Sequence, residues 1–423
     1  MLIRMARQCR VLCQMAVVIL ACLPAAAHAQ NEQYGPNPTL PEPYASQSAS
    51  RTAKVVGWKD GATPSAPEGF AVSQFAGGLD NPRSLYILPN GDVLTAEAKT
   101  KIAGLIGSSA DQVTLLRDAD GDGIAETRSV LLSGLDRPFG ITLIGDTLYV
   151  ANSNAVYAYP YVRDALKIES KGEKILDLPS GGYNHHWTRN LLVSPDGEKI
   201  YVSVGSASNN AEYGLKEEIR RANILEINPD GSKERIYASG LRNPVGMDWN
   251  PATGALWTAV NERDKLGDGL VPDYMTEVQP GGFYGWPYSY FGQHPDPRMK
   301  GKGAELVAKA LVPDYALGSH TASLGLAFYD GTAFPAHYRG GAFIAQHGSW
   351  NKSDFAGYKV IFVPFQDGKP SGPPEDFLAG FLDDSGNDEA FGRPVSVAVT
   401  PDGGILVADD AGNTIWKIIK SQK

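Results

Sequence analysis

The chain has 423 residues, 43% of them hydrophobic, with 47 glycines, 29 prolines and a formal net charge of -9. That length and apolar share suit a globular protein with a full core, and so much glycine and proline requires many turns and few long helices. An acidic chain without a basic run has no general attraction for nucleic acid, so a small-molecule partner is expected.

At the N-terminus, Arg4, Arg7 and Arg10 precede an apolar run over 15–23 and the small-residue site Ala27-His28-Ala29. This order predicts an export signal over residues 1–29, cleaved before Gln30, and a periplasmic or secreted mature chain. About ten apolar residues fall short of the roughly 20 a bilayer-spanning helix needs, so no stable membrane span is expected. A lipid anchor at Cys22, after Ile19-Leu20-Ala21, is the alternative fate of the segment. Cys9, Cys13 and Cys22 are the only cysteines. Cleavage therefore leaves no thiol, which excludes disulfides, cysteine zinc sites and cysteine nucleophiles.

Residues 30–63 are rich in Pro, Ser, Asn and Gln and predict a flexible linker or a surface strap ahead of a single domain over 64–423. Within that domain, residues 84–97 give two short apolar runs divided by Asn90-Gly91, a hairpin signal. The pattern returns at 140–152, 191–204, 246–259, 324–334 and 395–408, with further strand-like stretches at 155–161 and 224–227. Six such units predict an all-β, six-bladed β-propeller. A two-sheet sandwich would not need one phrase to return at every hairpin. Between the first two units, Asp118, Asp120 and Asp122 with Gly123 resemble the start of a calcium loop. No Glu closes it at the twelfth position, and a solvated turn is the other reading.

An arginine precedes the first strand of five units: Arg83, Arg137, Arg189, Arg242 and Arg393, with His320-Thr-Ala-Ser323 in that place in the remaining one. In a propeller these positions converge at one mouth of the central channel. A guanidinium offers a planar fork suited to carboxylates, so the ring predicts a compact ligand with several of them. The alternative is that each arginine pairs with an acid of a neighbouring blade and only staples the ring. His185 and His186, just before Arg189, fall at the same mouth. A neutral imidazole there can take a proton from a substrate hydroxyl, or the pair could bind a metal.

His185-His186-Trp-Thr-Arg189, Leu241-Arg242-Asn243-Pro244, Asn261-Glu262-Arg263-Asp264, Phe283-Tyr284-Gly285-Trp286-Pro287, His347-Gly348-Ser349-Trp350-Asn351-Lys352 and Gly392-Arg393-Pro394 occur in this order. Together they resemble the L-sorbosone dehydrogenase and pyranose dehydrogenase branch of the soluble glucose dehydrogenases that depend on pyrroloquinoline quinone (PQQ). The likeness runs from about residue 67 to 417. It implies a propeller that holds PQQ, a flat tricarboxylate, beside a calcium ion and oxidises a sugar or sugar-derived aldehyde. It implies that His186, with His185 as alternative, removes the proton of a sugar hydroxyl. It further places Arg189, Arg242 and Asn243 near the quinone, Lys352 and Arg393 on the cofactor's oxygens, and backbone carbonyls of Asp264 and Lys265 on calcium. The sequence departs from the family in two places. Ser206 stands where the glucose enzymes carry an Asp that orients the base, so that another group, such as Glu212, would have to do so. Lys352 stands where many sorbosone-type relatives carry Arg.

With no CxxCH haem site, electrons would leave to an external acceptor. A metal-dependent lactonase or hydrolase on the same architecture, and a non-catalytic binding propeller, are the rival readings, because fold alone does not fix chemistry. Tyr284 and Trp286 suit either stacking on a sugar or packing between blades.

Overall fold

The computed structural model describes residues 33–59, 61–99 and 109–421. The predicted export signal and the candidate anchor at Cys22 lie outside them.

Six four-stranded antiparallel units follow one another around an axis. The first comprises Pro82–Ile87, Val93–Glu97, Gln112–Arg117 and Thr127–Leu132, and the second Ile141–Ile144, Thr147–Ala151, Ala155–Pro160 and Glu173–Asp177. The third comprises Leu191–Val193, Ile200–Val204, Asn223–Ile227 and Arg235–Ser239, and the fourth Pro244–Trp249, Leu256–Val260, Pro272–Glu277 and Tyr315–Ser319. Ser323–Phe328, Ala342–Gln346, Lys359–Val363 and Glu375–Leu378 make the fifth. The sixth joins Pro394–Val399, Ile405–Asp409 and Thr414–Lys420 to Phe70–Ala76, so the beginning of the domain supplies the outermost strand of its last blade and closes the ring. First strands of neighbouring blades touch all the way around the axis, and this is a six-bladed β-propeller.

The second strand of a blade is covered by neighbours on both faces, which is why Val93–Glu97, Ile200–Val204, Leu256–Val260, Ala342–Gln346 and Ile405–Asp409 are buried at every position. The core is correspondingly divided between blades. Leu94 and Leu115 meet Leu148 and Val150, Trp257 and Met275 meet Phe328 and Ile344, and Phe343 and Val360 meet Val407 and Trp416. The fifth unit departs from the expected hairpin at 324–334. Its second strand begins only at Ala342, after a turn of 3-10 helix at Ala336–Tyr338. The Tyr329 hydroxyl donates to Gly403 O (2.7 Å) and accepts from Phe334 N (2.8 Å), which ties the longer connection to the sixth blade.

Residues 33–59 lie across the propeller as a strap. Tyr34–Gly35 adds a fifth strand to the fourth blade beside Tyr315–Ser319 and covers an edge that would otherwise be open. Only glycine fits at 318 beneath it, since a Cβ there would lie 2.5 Å from the Tyr34 ring. Lys54–Val55 pairs in parallel with Glu389–Ala390, Arg51 grips Asp388 through Nε (3.1 Å) and Nη2 (2.6 Å), and Trp58 Nε1 donates to Asp409 Oδ2 (2.6 Å).

Antiparallel alternation fixes which face carries chemistry. Strands one and three run away from the mouth at which first strands begin, and strands two and four run back to it. The blade-to-blade connections and the loops between second and third strands therefore crowd that mouth. The Asp118 loop, between a third and a fourth strand, lies at the opposite end.

Candidate functional site

All five arginines and both histidines stand at this mouth, but they are held in different ways. Arg83 Nη1 pairs with Asp410 Oδ2, while its Nε is buried without a partner. Its guanidinium lies 5.4 Å from the ring centre of Trp187, and that of Arg137 lies 5.9 Å from the same ring. Arg137 bonds Ser153 Oγ (2.9 Å) and its own neighbour Asp136 (3.3 Å). Arg189 is fully buried. It donates to the carbonyls of His186 (2.7 Å), Thr188 (2.8 Å) and Pro179 (2.8 Å) and to Asn184 Oδ1 (3.1 Å), with Nε unpartnered. Burial, with Arg221 and Arg137 nearby, pushes it down to about 9, so it stays charged at neutral pH. Arg242 is held by Asn209 O (2.9 Å), Asn261 O (3.0 Å), Glu262 O (2.7 Å) and Asn209 Oδ1 (2.9 Å), with Asp264 at 3.6 Å. Arg393 donates to His347 O (2.8 Å) and Gly348 O (2.6 Å).

Direct pairing with a neighbouring blade's acid therefore describes Arg83 alone among Arg83, Arg189 and Arg393. The other two are fixed by carbonyls, which satisfy N–H groups without cancelling charge. His347, pushed down to about 4 by burial and Arg393, is neutral and donates from Nε2 to Asp410 (2.8 Å).

His186 is 8% exposed. Its Nδ1 lies 3.0 Å from Ser206 O and 2.9 Å from Ser206 Oγ. The Ser206 hydroxyl donates to Ser208 O (2.6 Å), and the Ser206 carbonyl can only accept. Nδ1 must therefore carry the hydrogen, which leaves the Nε2 lone pair available as a base. Burial, reinforced by Arg242 and His185, holds the imidazole well below its ordinary value and hence neutral at pH 7. Ser206 itself thus orients the His186 imidazole, and the expectation for Glu212 is corrected: its carboxylate accepts from the backbone of Asn209 (3.3 Å) and Asn210 (2.8 Å). His185 is exposed, its ring edge-on to His186 at 4.8 Å.

Gly205 is the floor of this arrangement. A Cβ there would lie 2.6 Å from His186 Cβ and clash with Asn243 Oδ1, an acceptor that is buried without a donor. Gly205→Ala is expected to displace both side chains and lower kcat by about 10²-fold with the circular dichroism spectrum retained, as misplacement of a catalytic group by about 1 Å does.

The structure separates Lys352 from this group. Its ammonium donates to Asp268 O (3.0 Å) and Ser319 Oγ (2.8 Å) and lines a cavity of about 430 Å³ with Tyr34, Asp354 and Asp376, which no arginine or histidine of the mouth lines. The preceding Asn351 reaches inward instead, to Asp264 Oδ1 (2.5 Å) and His320 Nδ1 (3.0 Å). The Asp264 carbonyl, expected on calcium, accepts from Arg263 Nε (3.1 Å), Arg263 Nη2 (3.0 Å) and Asn209 Nδ2 (3.1 Å); Lys265 follows in a left-handed conformation. Asn209, not singled out by any motif, joins Arg242, Asp264 and the Trp286 indole (3.1 Å). Trp286 and Tyr284 are buried between elements rather than presented to the mouth.

At the opposite end, carboxylate oxygens of Asp118, Asp120, Asp122 and Glu126 lie within 4.8 Å of one another. Glu126, which the twelve-residue spacing passes over, also accepts from Ala119 N (2.8 Å).

A family model described as TrAA12-like matches residues 64–281 and 294–421. An uncharacterized protein of Borreliella burgdorferi is 30% identical over 369 residues, 84% of this chain and 90% of its own. A pyrroloquinoline quinone-dependent sugar dehydrogenase of Hypocrea jecorina is 27% identical over 215 residues, 48% of each chain, so the match spans about half of that relative. Among solved structures, the holo form of the pyranose dehydrogenase PQQ domain from Coprinopsis cinerea superposes with a TM-score of 0.69 at 20% identity, over 87% of this chain and 100% of that one.

Proposed function

This chain belongs to the TrAA12-like family, and from that premise we propose that it is a PQQ-dependent dehydrogenase of sugars or sugar-derived aldehydes. The observation that carries the reading is a mouth where five guanidinium groups stand together, two of which, Arg189 and Arg393, are held by neutral carbonyls that leave their charge uncancelled. Positive charge left uncancelled at a buried site is costly, and the carboxylates of a flat polyanion offset it. Arg83, Arg189, Arg242, Arg393 and Asn243 are the residues to hold it, with Arg137 supporting Trp187 beside them. When bound, PQQ supplies a two-electron acceptor able to take a hydride from the substrate carbon. His186 Nε2 takes the hydroxyl proton, and the Ser206 carbonyl steadies the imidazolium through Nδ1–H.

Calcium belongs to the reading through Asp264 and Lys265, because a hard cation accepts carbonyl oxygens. At the Asp264 carbonyl it would displace the Arg263 and Asn209 donors. Electrons then pass to an external acceptor outside the cytoplasm, the predicted export signal placing the enzyme there. A lactonase would need carboxylates converging on a metal at the mouth. Among the described residues, the grouping with such spacing is the Asp118 loop at the other end.

The test is reconstitution of the mature chain with PQQ and Ca²⁺, followed by dye reduction across a panel of aldoses and sorbosone. Sugar-dependent reduction that requires PQQ and falls on chelation is expected. Lactone hydrolysis indifferent to PQQ would support the rival.

A further inference from the structure

Two tyrosines stand exposed at the rim beside the base and belong to no motif of the site. Tyr183, on the connection into the third blade, is 44% exposed, and Tyr213, on that blade's middle loop, is 58% exposed. Their ring centres lie 4.7 Å apart. Tyr183 is stacked on His185 at 5.8 Å and 10°, with its hydroxyl 3.3 Å from His185 Nδ1, and His185 in turn meets His186 at 4.8 Å. Three successive ring contacts thus lead from the buried base out to an uncovered aromatic face.

Among the described residues, about half of each ring's side chain stays uncovered, and adjacent exposed aromatics of this kind suit a binding surface. Their position beside a proton acceptor selects the occupant. A pyranose offers an apolar C–H face to a ring and hydroxyls to its edges, which matches an aromatic platform with a polar tip. Tyr213 stands three ring contacts out from His186, the place of a ring beyond the one that meets the base.

We propose that Tyr183 and Tyr213 form a stacking subsite for the glycosyl unit next to the sugar being oxidised, so that the enzyme takes disaccharides or longer saccharides. The proposal rests on the dehydrogenase reading for the reacting sugar but not for the binding of the second ring.

The test compares glucose with maltose and cellobiose on the PQQ-loaded enzyme, for wild type, Tyr183→Ala, Tyr213→Ala and Tyr213→Phe. In the alanine variants KM for a disaccharide is expected to rise about five- to tenfold more than KM for glucose, consistent with an aromatic contact of about 1 kcal/mol. The rise should fall on KM rather than kcat, and Tyr213→Phe should restore it. Equal changes for both sugar lengths, or none, would overturn the subsite while leaving the dehydrogenase intact. A parallel measurement follows saturation transfer to methyl maltoside on the same proteins. Loss of glycoside contact in Tyr213→Ala upholds the subsite even if no sugar is oxidised, a result that would refute only the dehydrogenase.

Discussion

Replacing His186 by alanine is expected to lower kcat for sugar oxidation by about 10²- to 10⁴-fold, the range a positioned general base supplies, with PQQ still bound. The reason is the tautomer. Ser206 Oγ directs its hydrogen to Ser208 O, so the acceptors around Nδ1 fix the proton there and Nε2 keeps its lone pair. His185→Ala should cost less than tenfold, since that ring is exposed and touches the base only edge-on. The pH profile provides a separate check. A base acts in its neutral form, and burial beside Arg242 and His185 holds His186 well below 6.5. Activity should therefore persist as pH falls from 8 through 6.5 and decline only below that. An activity limb centred at or above 6.5, assigned to His186 by its absence in the variant, would contradict the burial argument. Ser206→Ala should remain active within about tenfold, because the Ser206 carbonyl still accepts from Nδ1.

Arg242→Ala is expected to weaken PQQ binding by at least about 10²-fold and to lower stability by about 3 kcal/mol or more. Removing one partner of a buried, charge-assisted network leaves the others desolvated and unpaired. Here those others are the carbonyls of Asn209, Asn261 and Glu262, the Asn209 amide oxygen, and Asp264. Glu262 sharpens the effect. Burial already pushes its carboxyl up to about 7, against the pull of the Arg242 charge, which acts the other way. Its loss should raise that value further. Arg242→Lys keeps a charge but cannot reproduce a fork with four short contacts, so it should recover only part of either loss. Fluorescence titration with PQQ and urea unfolding measure the two effects separately. Unchanged affinity in a folded alanine variant would remove Arg242 from the cofactor site.

The architecture was legible because each blade repeats the same local chemistry: a turn such as Asn90-Gly91 or Asp196-Gly197, an apolar run buried on both sides, and a residue at or just before the start of the first strand. The convergence of Arg83, Arg137, Arg189, Arg242 and Arg393 follows from that last position and from antiparallel alternation. What the sequence concealed depends on contacts between distant residues. No spacing rule tells whether Asn351 or Lys352 faces inward, since the decision lies with Asp264 and His320 on one side and Asp268 and Ser319 on the other. Nor does any motif mark Asn209, whose amide matters only because Arg242 and Asp264 meet there. Ser206 looked like a missing aspartate. Its carbonyl and hydroxyl orient the imidazole without a charge, and that becomes visible only when Ser208 is seen to accept the hydroxyl hydrogen. In the fifth blade the pattern at 324–334 predicts a hairpin, but the Tyr329 and Phe334 contacts hold a longer connection.

The most direct measurement is a titration of the purified, cofactor-free protein with PQQ, followed by tryptophan quenching at two salt concentrations. Saturable one-to-one binding that weakens as salt rises, and that is lost in Arg242→Ala, is expected of a polyanion clasped by the arginines at the mouth. A flat response, or binding that the arginine substitution leaves untouched, would contradict it.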